Sequence, residues 1–168
     1  MSTKRPKLSH LSADGTARMV DVAAKAITQR RAVATGHVLI SPALHSAIAE
    51  SRIAKGNLLD VARIAGIQGA KETARLIPLC HPLPLDAIHI DLQLAKDRVN
   101  IRATVVCTGR TGVEMEALTA VAVAALTVVD MGKAVDPAME IAGIRVLEKA
   151  GGKHGLWRAP SRKRGASK

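Results

Sequence analysis

The chain has 168 residues, the length of one domain. Hydrophobic residues make up 48% and charged residues 23%, the balance of a folded globular chain and not of a disordered one. A net charge of +11 invites a nucleic-acid reading, but there is no Phe, no Tyr and one Trp, which counts against the aromatic stacking platforms that single-strand binding commonly uses.

Position explains much of the charge. Residues 1–10 hold Lys4, Arg5 and Lys7, residues 158–168 hold Arg158, Arg162, Lys163, Arg164 and Lys168, and neither stretch holds an acid. Both are rich in Ser, Pro and Gly, so flexible basic tails are expected around a single domain at 11–157. The ends supply +8 of the charge and that domain the remaining +3. The two cysteines, Cys80 and Cys107, form no disulfide framework and no C-x-x-C motif, which fits a reducing cytoplasm. No apolar stretch follows the basic N-terminus to make a signal peptide. The longest apolar run, 117–129, has 13 residues with two Thr inside it and is too short to span a bilayer.

In chain order, residues 33–40 (V-A-T-G-H-V-L-I) are predicted to form a strand beginning as early as Ile27. Ser41-Pro42 reads as an N-cap with Pro at the first helical position, and Leu44, Ala47, Ile48 and Ile53 give the short helix an apolar face. Residues 57–76 form the next helix, with Leu58, Val61, Ala62, Ala65 and Gly69 at spacings of three and four. Gly66 and Gly69 weaken it in isolation and mark a close approach to another backbone. Pro78, Pro82 and Pro84 end it. Residues 87–94 alternate, with Ile88, Ile90, Leu92 and Leu94 on one face. Residues 99–107 are the partner strand of a hairpin turning at Lys96-Asp97. A loop at 109–112, a long helix at 114–133 and a last strand at 141–147 follow. The order is β-α-β-β-α-β, an α+β ferredoxin-like fold with an antiparallel sheet and helices on one face. The stretch 117–126 has almost no polar face, and a helix apolar all round must be buried all round. A two-layer domain covers one side, so a homo-oligomer is expected.

Polar residues gather at the ends of this framework. Leu79-Cys80-His81-Pro82 holds a His in a proline-braced loop, and Glu114 and Glu116 start the long helix, where they suit its positive dipole end. Asp130 and Lys133 share a face at its other end, either as a surface ion pair or as a desolvated, tuned lysine with an orienting carboxylate. Lys55 precedes a helix. Lys149 and Lys153 flank Gly151-Gly152 in a basic loop that can meet phosphate but is not a Walker A loop. Cys80 and His81 lack a second Cys/His pair at zinc spacing. The residues alone thus point to an oligomer with a site for an anionic, phosphorylated ligand.

Six segments carry a resemblance. M-V-D-V at 19–22, A-R-I-A-G-I-Q at 62–68, L-I-P-L-C-H-P-L at 76–83, T-G-V-E-M-E-A-L-T-A at 111–120, D-M-G-K-A at 130–134 and G-G-K at 151–153 resemble, in order, the cyclic pyranopterin monophosphate synthase family of molybdenum-cofactor biosynthesis. The resemblance covers roughly 8–157 and implies a catalytic domain of ferredoxin-like fold. It implies a cytoplasmic hexamer, a trimer of dimers with active sites at subunit interfaces. The activity implied is a phosphorus-oxygen lyase that turns 3′,8-cyclo-7,8-dihydroguanosine triphosphate, supplied from GTP by a radical-SAM enzyme, into cyclic pyranopterin monophosphate and diphosphate. No metal, cofactor, membrane or nucleic acid is implied.

By the same resemblance, Lys55, Lys133 and Asp130 match the catalytic lysines and aspartate. Asp21, Arg30, Lys71, Cys80, His81, Glu114, Met115, Glu116, Lys149 and Lys153 match substrate-binding positions. Arg30, Lys71, His81, Lys149 and Lys153 suit the triphosphate, and Glu114 and Glu116 suit the N–H groups of the base, which is then held by carboxylates and not by a stacking platform. The division of labour between the two glutamates, and between Lys149 and Lys153, stays open. One departure is Gly132, where some relatives carry Cys. Two other readings compete: a basic nucleic-acid-binding ferredoxin-like module, and a metal-dependent phosphohydrolase using His81, Glu114, Glu116 and Asp130.

Overall fold

The computed structural model describes residues 15–153 and 155–160. Strand β1 (Thr28–Leu39) lies at the centre, since its inward residues Ala32, Ala34 and Val38 are fully buried. The hairpin β2 (Leu85–Ala95) and β3 (Arg98–Gly109) pairs with it through β3, and β4 (Glu140–Ala150) pairs on its other side. A two-residue strand, β5 (Trp157–Arg158), extends the edge. The order is β2-β3-β1-β4-β5 with every neighbour antiparallel. This is the ferredoxin-like arrangement with one added edge strand. On β3 the expected face is fully formed: Val99, Ala103, Val105 and Cys107 are inaccessible to water.

The helices α1 (Pro42–Ala49), α2 (Leu58–Lys71), α3 (Thr73–Leu76) and α4 (Glu114–Gly132) complete the fold. Ser41 caps α1, its Oγ accepting from Leu44 N at 3.3 Å, with Pro42 at the first helical position. The Asp136 carboxylate accepts from Ser41 N at 2.6 Å and so ties this cap to the turn after α4. Helix α4 packs on β1, β3 and β4 with α2 along its flank. Gly66 and Gly69 permit that approach: a Cβ on Gly66 would lie 3.0 Å from Ala120 O, and one on Gly69 would lie 2.7 Å from the Val123 side chain. Helix α4 has a mean hydropathy of 1.6 and the length to cross a bilayer, yet it serves here as the core helix.

The helix expected over 57–76 is broken. It stops at Glu72, where Thr73 Oγ1 turns back to donate to Ala70 O (3.0 Å) and Gly69 O (3.3 Å). Strand β4 is longer than the expected 141–147, and it is irregular, with register shifts opposite Val33/Ala34 and Thr35/His37 and a left-handed Gly143 (φ 68°). Arg158, expected in the C-terminal tail, lies in β5, where its Nε reaches Glu148 Oε2 at 3.0 Å. The N-terminal basic tail and residues 161–168 fall outside the described residues.

Candidate active site

At the C-terminal end of α4, Asp130 stands between two lysines. Lys133 Nζ donates to its Oδ1 at 2.7 Å, and Lys55 Nζ donates to its Oδ2 at 2.8 Å and to its carbonyl at 3.1 Å. Lys55 arrives from a turn closed by Gly56 N donating to Ile53 O, just before the Asn57 cap of α2. Lys133 first, and Lys55 with it, hold the Asp130 carboxyl down to about 2, so it is an anion throughout the physiological range. Of the two readings open for Asp130 and Lys133, the described residues of one chain form the exposed ion pair. The three side chains are 52% (Lys55), 57% (Asp130) and 61% (Lys133) exposed among the described residues.

The other end of α4 is concave. A cavity of about 390 Å³ is lined by Cys80, His81, Glu114, Met115 and Glu116 together with Val20, Val22 and Lys25. Glu116 is 4% exposed. Burial pushes its carboxyl above the usual range; a backbone hydrogen bond opposes this and the Glu114 charge adds to it. The Cys80 thiol is pushed up by burial and by the Glu116 charge, which keeps it protonated. Glu114 is paired, with Lys149 Nζ at 3.0 Å from its Oε1.

Beyond Glu114 a larger cavity, about 850 Å³, is lined by Lys25, Arg30, Arg110, Lys149 and Lys153, and among the described residues no carboxylate lines it. Arg30 is held in place by donating from Nε to Gly109 O and from Nη2 to Arg110 O, both at 3.3 Å. The Gly151-Gly152 turn presses against it. Both glycines are left-handed (φ 97° and 71°), and a Cβ on Gly152 would lie 2.0 Å from the Arg30 guanidinium. Thr28 Oγ1, on the wall of this cavity, is buried and has no hydrogen-bond partner among the described residues.

The structure therefore gathers Arg30, Cys80, His81, Glu114, Met115, Glu116, Lys149 and Lys153 at one end and Lys55, Asp130 and Lys133 at the other. Lys71 lines a separate cavity of about 240 Å³ with Arg75 and the far side of Glu116. Asp21 sits between the cavity-lining Val20 and Val22, but its carboxylate accepts from Ala23 N at 2.8 Å. Sequence reasoning missed Lys25 and Arg110. Arg110 stands directly before the T-G-V-E-M-E block, a signal available in the sequence; Lys25 joins it through a contact between distant loops, Arg110 Nε to Lys25 O at 3.2 Å. The cluster that the phosphohydrolase reading requires does not form within one chain, where 16 residues of one helix hold Asp130 and Glu114 about 24 Å apart at about 1.5 Å per residue.

The chain is thus an α+β protein with two lysines on one carboxylate at one end of its core helix and a cation-lined cavity at the other, an arrangement suited to an enzyme that works on a phosphorylated substrate. The MoaC family model matches residues 19–152. A cyclic pyranopterin monophosphate synthase of Streptomyces avermitilis is 56% identical over 151 residues, covering 90% of this chain and 89% of the relative. One of Nocardioides sp. is 53% identical over 163 residues, covering 95% of this chain and all of the relative. Cyclic pyranopterin monophosphate synthase 3 of Mycobacterium tuberculosis is 56% identical over 152 residues, covering 90% of this chain and 86% of the relative. The chain belongs to the MoaC family.

Proposed function

We propose that the two ends of α4 are halves of one active site, each half supplied by a different copy of the chain. The activity is cyclic pyranopterin monophosphate synthesis in molybdenum cofactor biosynthesis. 3′,8-Cyclo-7,8-dihydroguanosine triphosphate is rearranged to cyclic pyranopterin monophosphate, and diphosphate leaves. The observation that carries the site assignment is the cavity ringed by Lys25, Arg30, Arg110, Lys149 and Lys153. A triphosphate brings about four negative charges, and these cations hold the charge that develops on the departing diphosphate. Glu114 and Glu116, at the neighbouring cavity, accept hydrogen bonds from the amide and amine N–H groups of the base.

Lys55 and Lys133 carry the proton transfers of purine-ring opening and pyranopterin closure, and Asp130 orients both ammonium groups. Their exposure in one chain supports a second copy as the missing wall. Covering the trio would exclude water from around the two lysines and the carboxylate that holds them. An apolar surface is available for such a copy: Ile64 on α2 is 68% exposed and Leu126 on α4 is 59% exposed. A hexamer, a trimer of dimers, is the assembly we assign. The two free cysteines fit a reducing cytoplasm, where a radical-SAM enzyme would supply the cyclised GTP.

The test is incubation of the purified chain with the cyclised GTP intermediate, measuring diphosphate and cyclic pyranopterin monophosphate. Stoichiometric release of both is expected; intact intermediate at the end of the incubation overturns the reading.

A further inference from the structure

The chain's single aromatic residue is at this site, although no family motif quoted above includes it. Trp157 pairs with Lys149 across β4 and β5, and directly opposed residues on antiparallel strands present their side chains on the same face. Lys149 is the partner of Glu114. Two cavities meet at the indole. One, of about 540 Å³, is lined by Glu114, Val146, Lys149, Leu156 and Trp157 and is mostly apolar. The other, a cleft of about 110 Å³, joins Trp157 to Arg30 and Lys153. The ring thus stands between the carboxylate that would hold a base and the cations that would hold its phosphates. It is 42% exposed, so one part of it packs while the rest faces open space.

Strand β5 fixes this position despite having only two residues. Arg158 Nε reaches Glu148 Oε2 at 3.0 Å, and Ala159 N donates to Leu147 O at 2.8 Å. A β5 of this length has little purpose in the sheet, and its pairing delivers one indole to the wall of the site.

We propose that Trp157 is a substrate-binding residue whose indole packs against the purine-derived ring system of the nucleotide, beside the Glu114–Lys149 pair. This rests on the nucleotide reading of the site given above. An indole face suits a flat heterocycle, and its contact is made equally before and during reaction, so it governs affinity more than turnover.

With no other aromatic residue in the chain, protein fluorescence reads Trp157 alone. The full-length assembled protein is titrated with the cyclised GTP intermediate and, separately, with inorganic triphosphate. Steady-state diphosphate release is measured for wild type, Trp157→Phe and Trp157→Leu. The intermediate is expected to shift or quench the emission and triphosphate to leave it nearly unchanged. Trp157→Leu is expected to raise KM about tenfold with kcat nearly constant, and Trp157→Phe to recover most of the loss. Diphosphate release by wild type with unmoved emission and an unchanged KM in Trp157→Leu overturns the proposal alone. No release by wild type overturns the nucleotide reading and the proposal together.

Discussion

The two ends of α4 solve opposite problems. At its N-terminal end the chain has built a container. Glu116 is almost fully buried, Glu114 is tied to Lys149, and five cations ring a cavity. At its C-terminal end the chain has built an exposed device: one carboxylate clamps two lysines within hydrogen-bond distance, and all three side chains are more than half open to water. In the reading proposed above, the container recognises the substrate and the exposed end reacts once a second copy encloses it. One helix holds the two about 28 Å apart, at about 1.5 Å per residue from Glu114 to Lys133, so no motion within the chain short of unfolding α4 can join them. On the proposed reading, a monomer carries two incomplete halves of one site.

The largest effects should come from the exposed end. Lys133→Ala and Lys55→Ala each remove a proton-transfer group, and turnover should fall at least about a hundredfold. Their melting temperatures should stay nearly unchanged, since both side chains are more than half exposed and their ion pairs are at the surface. Diphosphate release and thermal melts measured together check this; wild-type turnover in either variant removes the assigned chemistry.

Next comes the comparison itself. If the two ends meet across an interface, Lys133→Ala and Glu114→Ala damage different halves. Mixed assemblies of the two inactive variants, unfolded and refolded together, should then regain a substantial fraction of activity, because some interfaces pair an intact container with an intact Lys55–Asp130–Lys133 trio. Refolding each variant alone is the control. No recovery in the mixture would mean that both halves of each working site come from one chain.

Smaller effects should come from the turn that supports the exposed end. Asp136 is 7% exposed and accepts from Ser41 N at 2.6 Å and Ala138 N at 3.2 Å. Asp136→Ala leaves these two donors without their partner, costing about 1–3 kcal/mol. For a chain of this size that lowers the melting temperature by several degrees. Such a loss should fall on stability more than on KM, because Asp136 lies outside the container.

The sequence made the framework readable and left the joints hidden. The alternation in β2 and β3 and the apolar content of α4 declare themselves, because burial of one face sets the period. Gly66 and Gly69 marked a close approach to another backbone without saying which; Gly66 makes it, at Ala120 O of α4, and Gly69 faces the Val123 side chain of the same helix. Lys55 and Asp130 are 75 residues apart, and no spacing rule joins them; only the resemblance placed both at one centre. Arg110 and Lys25 meet through a guanidinium on a backbone carbonyl, a contact that leaves no pattern in either segment. Strand β5 leaves no signal in the sequence because two residues carry no period.

The subtlest contrast lies within the container, at Glu116. Burial raises its folded pKa above the unfolded value, so the protonated form favours the fold. The associated stability is fully present below the ordinary carboxyl pKa and is lost as pH rises through the folded value. Glu116→Gln keeps the size and removes the charge. Its melting temperature should equal that of wild type in acid and exceed it at neutral pH; a gain of about 1 kcal/mol would amount to about 2–4 °C for a chain of this length. Activity should move the other way, because the amide presents a donor where the base needs an acceptor. Melts from acid to neutral pH, paired with diphosphate release, read both arms. A stabilised and weakened variant would mean that the buried charge is retained for recognition at a cost in stability. A destabilised one would mean that the carboxylate serves the fold, and the container would then have to recognise the base through Glu114 alone.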